Sequence, residues 1–158
     1  MNLNQLLSKR EFISVATCDL RGQPNAAPKL LLSADEKFIY LIDYTVGKTW
    51  ENLRINPKVS LSLSDIHELK GYRINGTVEI IDQGPLYKKL AKEFEERKIV
   101  LSVERVISGV QRQQRHRDFE MAIPEKFVIF KVKIQDVTEI NPQGKLKKTI
   151  VDGSSLSS

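Results

Sequence analysis

The chain is poor in the residues from which much protein chemistry starts: it has one cysteine, Cys18, and two histidines, His67 and His116. A single thiol excludes a disulfide within the chain and fits a reducing, cytosolic setting. Cys18 ends the apolar run Phe12-Ile13-Ser14-Val15-Ala16-Thr17 and is expected as a small buried hydrophobe. Neither histidine has a second histidine or a cysteine at ligand spacing, so no metal site is expected. No stretch approaches the roughly 20 apolar residues of a membrane span. No basic segment leads into an apolar block at the start, so a secretory leader is not expected and the protein reads as cytoplasmic. Gly-x-Ser-x-Gly and Gly-x-Gly-x-x-Gly are both missing, which argues against a serine hydrolase and a Rossmann cofactor site.

What remains is an ordinary globular composition in 158 residues, 41% hydrophobic and 28% charged, enough for one domain with its own core. The formal charge of +5 favours anions in general, and Lys145, Lys147 and Lys148 near the end carry part of it. Arg112-Gln113-Gln114-Arg115-His116-Arg117 is a second basic cluster. It has no interleaved aromatics and no recognised motif, so a solvated helix face is expected there and nucleic acid is not the expected partner.

Period-two runs dominate the chain. Residues 12–18 and 25–32 flank the turn-rich Asp19-Leu20-Arg21-Gly22-Gln23-Pro24 and read as a hairpin. Pro28 lies in the second run, so that strand is an edge or is locally broken. Phe38–Ile42 is a third strand, Lys58–Ser64 a fourth, Tyr72–Ile81 a fifth with Gly76 as a bulge, and Phe127 to about Ile140 a sixth. Leu3, Leu6 and Leu7 suit a short first helix. Trp50 and Leu53 share a face of another, which Pro57 stops at Asn56. Gly84-Pro85 opens a third helix with Leu86, Leu90, Ala91 and Phe94 on one side, and a further helix is expected over about 99–117. Short turns between strands imply an antiparallel sheet. The expected fold is mainly β, a six-stranded antiparallel split β-barrel with short flanking helices, over residues 1–140. Residues 84–118 would be a helical lid or dimer element, and 141–158 a mobile polar tail.

The segment richest in chemistry is Thr45-Val46-Gly47-Lys48-Thr49, between a strand and a helix. Unpaired amides and the dipole at a helix start attract an anion; Lys48 and the two threonine hydroxyls suit a phosphate monoester. Gly47-Lys48-Thr49 resembles the end of a P-loop, but the upstream glycine that motif needs would fall at Ile42, so a triphosphate cradle is excluded. A capped helix with an exposed lysine would account for the same residues.

Order and spacing narrow this further. Val15-Ala16-Thr17, Gly22-Gln23-Pro24 and Pro28-Lys29 resemble the first hairpin of the pyridoxamine-phosphate-oxidase-like FMN-binding split barrels. Lys48-Thr49-x-x-Asn52-Leu53-x-x-Asn56-Pro57-x-Val59-Ser60-Leu61 is similar to their phosphate turn, short helix and next strand, and Gly71 to Glu79 to the strand after it. The resemblance implies a homodimer with two FMN sites between subunits. It places the phosphate against Thr45, Gly47, Lys48, Thr49 and Asn52, and runs Pro28, Lys29 and Leu30 along the flavin ring. Asp43 matches a cofactor-side position, and Tyr72 and Arg73 would approach from the partner subunit. The bland alternatives are a solvated Lys29, an Asn52 that only braces its helix, a Trp50 in the core, and Tyr72 and Arg73 as ordinary surface residues. FMN is the expected cofactor, ahead of F420 or FAD. The chain departs from true pyridoxamine phosphate oxidases, which carry two basic residues where Gly47-Lys48 stands and basic C-terminal residues not matched here. Vitamin B6 synthesis is therefore not expected. The implied function is an FMN-dependent oxidoreductase acting on a small molecule, with NAD(P)H as a candidate donor. The alternative is an FMN-binding electron carrier or flavin store. No residue is assigned as catalytic acid or base.

Overall fold

Alternation of apolar and polar side chains becomes alternation of inward and outward faces. In β1 (Phe12–Cys18), Ile13, Val15 and Thr17 are buried, while Phe12, Ser14 and Ala16 face out. The computed structural model describes residues 3–97 and 127–151. Its elements are α1 (Leu3–Leu7), β1, β2 (Pro24–Ala34), β3 (Phe38–Asp43), α2 (Lys48–Ile55), β4 (Lys58–Asp65), β5 (Lys70–Ile81), a helix α3 over 84–97, β6 (Val128–Ile140) and β7 (Leu146–Ile150). Every strand pairing is antiparallel, in the order β3-β2-β1-β4-β5-β6-β7, and β3 also pairs with β6. That last ladder closes β1–β6 into the expected six-stranded barrel, with β7 added outside the ring.

Phe130, Ile39, Leu41, Leu61, Ile74 and Val15 fill the interior. Each such side chain contributes about 1.5–3 kcal/mol by leaving water. A second apolar cluster lies under α3, where Leu90 and Phe94 pack on Ile42, Ile81, Phe127 and Ile129. The Tyr87 hydroxyl fastens the helix by donating to the Phe127 carbonyl at 2.8 Å.

Two irregularities fall where glycine and proline foretell them. The β5–β6 register shifts between Asn75 and Gly76. At Pro28, β2 is paired only to β1, because its ladder with β3 begins at Leu30↔Ile42. Residues Pro24–Lys29 therefore form one open side of the barrel among the described residues, which is the split. α2 sits at that end and packs on β1 and β2. It ends at Ile55 with Asn56 as cap, one residue before Pro57.

Two expectations change. Part of the supposed mobile tail is a strand: β7 pairs with β6 from Asp136↔Ile150 to Ile140↔Leu146, because the turn at Asn141 to Gly144 reverses the chain onto an edge with unpaired amides. Cys18 is half-buried, since it sits at the outward end of β1, where the Asn56 side chain donates to its carbonyl and sulfur. The helix expected over 99–117 and the arginine cluster at 112–117 lie outside the described residues. No described helix is long and apolar enough to cross a membrane.

The β4–β5 turn makes one acid-sensitive contact. Asp65 Oδ1 accepts from the amides of Glu68 and His67, at 3.2 and 3.0 Å; the Glu68 amide above all, helped by the His67 amide and the Arg10 charge, holds its carboxyl below the ordinary value against the opposing effect of desolvation. A carboxyl with a depressed folded pKa stabilises the fold above its unfolded pKa and loses that contribution as pH falls through the folded one. Wild type should therefore lose stability below about pH 3.9 more steeply than Asp65→Asn, as read from urea midpoints across that window.

Candidate functional site

The register of β1 with β2 sorts the first hairpin into two faces. Ile13↔Lys29, Val15↔Ala27 and Thr17↔Asn25 lie opposite one another on the inward side, and Phe12↔Leu30, Ser14↔Pro28 and Ala16↔Ala26 on the outward side. At the split end the inward side meets α2 and the end of β3. Lys29 Nζ donates to Asp43 Oδ1 at 2.7 Å, with the side chains only 14% and 7% exposed. Asp43 Oδ2 is buried and has no partner among the described residues. The Asn25 amide donates to Thr49 Oγ1 at 3.1 Å, and the Asn52 amide to Thr17 Oγ1 at 3.1 Å. Lys29 thus meets Asp43, while Thr49 and Asn52 meet Asn25 and Thr17, two residues that sequence reasoning missed. The signal for Asn25 was its spacing of four from Lys29 on a period-two strand, which puts both on one face.

The turn before α2 is the open part of the site. Gly47 has φ 93° and ψ 172°, and a β-carbon there would meet nothing within 4 Å. No side chain caps the helix, so its first amides keep their donors, and Thr45, Gly47 and Lys48 are exposed. Lys48 Nζ lies 3.3 Å from Glu51 Oε2, an exposed pair that an incoming dianion can outcompete. Thr49 and Asn52 behave differently: at 2% and 1% exposure their side chains brace α2 against the hairpin, and Thr49 offers the turn its amide. Trp50 is half-buried against the core, with Arg54 5.5 Å from its ring centroid.

Arg73 and Tyr72 part company, because neighbours on a strand point to opposite faces. Tyr72 is 3% exposed and turned inward, and burial raises its phenol pKa above the ordinary value. Arg73 stands on the outward face, where Pro28, Ser14, Ser62, Arg73, Thr138 and Lys148 form one continuous row from β2 to β7. Within one chain neither residue is a neighbour of the α2 turn in strand register: Tyr72 pairs with Leu63 and Glu139 near the β4–β5 turn, whereas α2 runs into the other end of β4. Among the described residues there is no group of three or more metal-ligating side chains.

The family model described as pyridoxamine 5'-phosphate oxidase matches residues 2–141. The chain belongs to the pyridoxamine 5'-phosphate oxidase family. Among curated relatives, the uncharacterized protein MJ0282 of Methanocaldococcus jannaschii is 30% identical over 90 residues, a match spanning 55% of this chain and 59% of that protein. HupZ of Group A Streptococcus is 25% identical, with a TM-score of 0.59 over 89% of this chain and 91% of that one. A Clostridium acetobutylicum protein related to general stress protein 26 superposes with a TM-score of 0.62 at 18% identity, over 94% of this chain and 92% of that one. The family's barrel also occurs, at 12–18% identity, in an FMN-binding protein of Nostoc punctiforme, an F420 reductase and a heme-binding protein of Mycobacterium smegmatis, with TM-scores of 0.56, 0.54 and 0.57.

Proposed function

We propose that the chain binds FMN at the split of its barrel, between two copies of itself, and acts as an FMN-dependent oxidoreductase on a small molecule. The observation that carries this reading is the uncapped start of α2 behind Gly47, with Lys48 and Thr45 exposed around it. Such a start donates several amides to one phosphate and adds the positive end of the helix dipole. The residues fit a phosphate monoester better than a longer phosphate chain, since no glycine-rich loop precedes the turn. The amides of Lys48 and Thr49, the Lys48 ammonium and the Thr45 hydroxyl would hold it. The open side of β2 at Pro28 and Lys29, up to Leu30 where the ladder with β3 begins, would contribute backbone groups to the ring edge, while the Lys29 ammonium stays with Asp43.

Dimerisation is supported by the outward face of β2, β1 and β4. Phe12, Ser14, Ala16, Ala26, Pro28 and Ser62 are exposed or half-exposed there and carry no charge. A second copy seated on that face would bring its Arg73 toward the neighbouring site. When bound, FMN would supply two-electron redox chemistry, with NAD(P)H as donor. This chain's residues would bind, orient and shield it.

The test is a titration of the apoprotein with FMN, followed by flavin fluorescence, in wild type and Lys48→Ala. Losing one charge-assisted hydrogen bond of about 1.5–3 kcal/mol should weaken binding about 10–100-fold. Lys48 is the residue to change, because truncating buried Thr49 would disturb packing as well. Equal affinity in the two proteins would refute the phosphate assignment. Rapid mixing of the loaded protein with NADH and NADPH then separates the enzyme, whose flavin bleaches within seconds, from an electron carrier or flavin store, whose flavin stays oxidised.

A further inference from the structure

Two arginines far in sequence from the α2 turn border one cavity of about 400 Å3, between α1, the irregular part of β2 and the end of the described part of α3. That volume is ordinary for a small-ligand pocket. The cavity exists because the β2–β3 register shifts between Leu31 and Ser33, which leaves Leu32 without an opposite residue. Arg97 Nη1 donates to the Leu31 carbonyl and, at 3.1 Å, to the Leu32 carbonyl, so one nitrogen serves both, and among the described residues the rest of the planar fork has no acceptor. Arg10 Nη2 donates to the Ser64 carbonyl, but its Nε is buried and has no acceptor. It is the sole buried side-chain donor without a partner among the described residues. Neither arginine forms an ion pair among those residues; Asp65 is near enough for Arg10 to lower its pKa, yet outside contact distance. Leu7, Leu31, Leu32 and Ala34 give the wall an apolar part, beside the polar Asn4, Ser8 and Ser33.

A buried N–H without an acceptor costs free energy, and neither guanidinium has a carboxylate within ion-pair distance among the described residues, although Asp65 offsets part of the Arg10 charge from farther away. A planar anion answers both, because a carboxylate matches the guanidinium fork. We propose that this cavity binds a small carboxylate with a short apolar tail, the carboxylate between Arg10 and Arg97 and the tail against Leu7 and Leu32. The site is separate from the flavin reading and stands without it.

Calorimetric titration of the purified protein with hexanoate tests it, with hexanol and inorganic phosphate as companion probes. Hexanoate should saturate, hexanol should give no saturable heat because it lacks the charge, and phosphate should bind at least about tenfold more weakly because it lacks the tail. Arg10→Met should weaken hexanoate by about tenfold or more. Arg10 also holds the Ser64 carbonyl, so Ala34→Leu, which keeps both arginines and fills the cavity, is the second variant; it should abolish binding while circular dichroism stays unchanged. The proposal is overturned if wild type shows no saturable hexanoate heat, if hexanol binds as well, or if folded Ala34→Leu binds hexanoate like wild type.

Discussion

Lys29→Met is expected to lower the unfolding free energy by about 3–5 kcal/mol, the usual cost of removing one partner from a buried ion pair. The pair sits where β2 leaves β3, with Lys29 Nζ 2.7 Å from Asp43 Oδ1 and both side chains largely shielded from water. Asp43 Oδ2 already lacks a partner among the described residues, so the carboxylate would keep its burial and lose its main compensation. The double variant Lys29→Met/Asp43→Leu removes both charges and should recover most of the loss, because well-packed apolar pairs often match buried ion pairs in stability. Urea unfolding of the wild type, both singles and the double completes the cycle. A single variant that unfolds at the wild-type midpoint would show that the lysine is solvated, as the plainer sequence reading had it.

The second large effect is at Gly76. A β-carbon built there would lie 2.3 Å from the Lys133 carbonyl oxygen and 3.0 Å from Val132 Cγ1. The nearer atom is backbone in the β5–β6 ladder, so relief requires parting the two strands at the bulge. Gly76→Ala should cost about 3 kcal/mol, at the upper end of the overpacking range. Gly71→Ala on the same strand is the control: its β-carbon would meet Ile140 side-chain atoms at 3.7 Å, an ordinary contact. Removing a glycine there trims unfolded-state entropy, so Gly71→Ala should be neutral or stabilise by up to about 1 kcal/mol. Equal thermal midpoints for the two variants would contradict the close approach at Gly76.

Much of the barrel was legible along the chain because its signals are local. Alternation in Lys58–Ser64 and in residues 12–18 follows from the pleat, the stop before Pro57 from the proline ring, and the irregularity at Gly76 from a residue with no side chain. The turn Thr45–Thr49 was legible for the same reason: glycine, lysine and hydroxyls between a strand and a helix report on one stretch of backbone. Leu146–Ile150 was not, because a short, polar, fully exposed strand has no burial pattern and takes its conformation from the β6 edge beside it.

Sequence by itself determined the six strands, their breaks, and a helix start suited to an anion, since each depends on residues within a few positions of one another; closing the strands into a barrel took the β3–β6 pairing of distant segments. Tertiary structure decided which side chains that helix start can use. It turned Lys29 onto Asp43, Asn25 onto Thr49 and Thr17 onto Asn52, and it put Tyr72 inside while Arg73 stayed outside. Those assignments hang on strand register across 14 to 35 residues of chain, and register is set by the closing of the barrel as a whole.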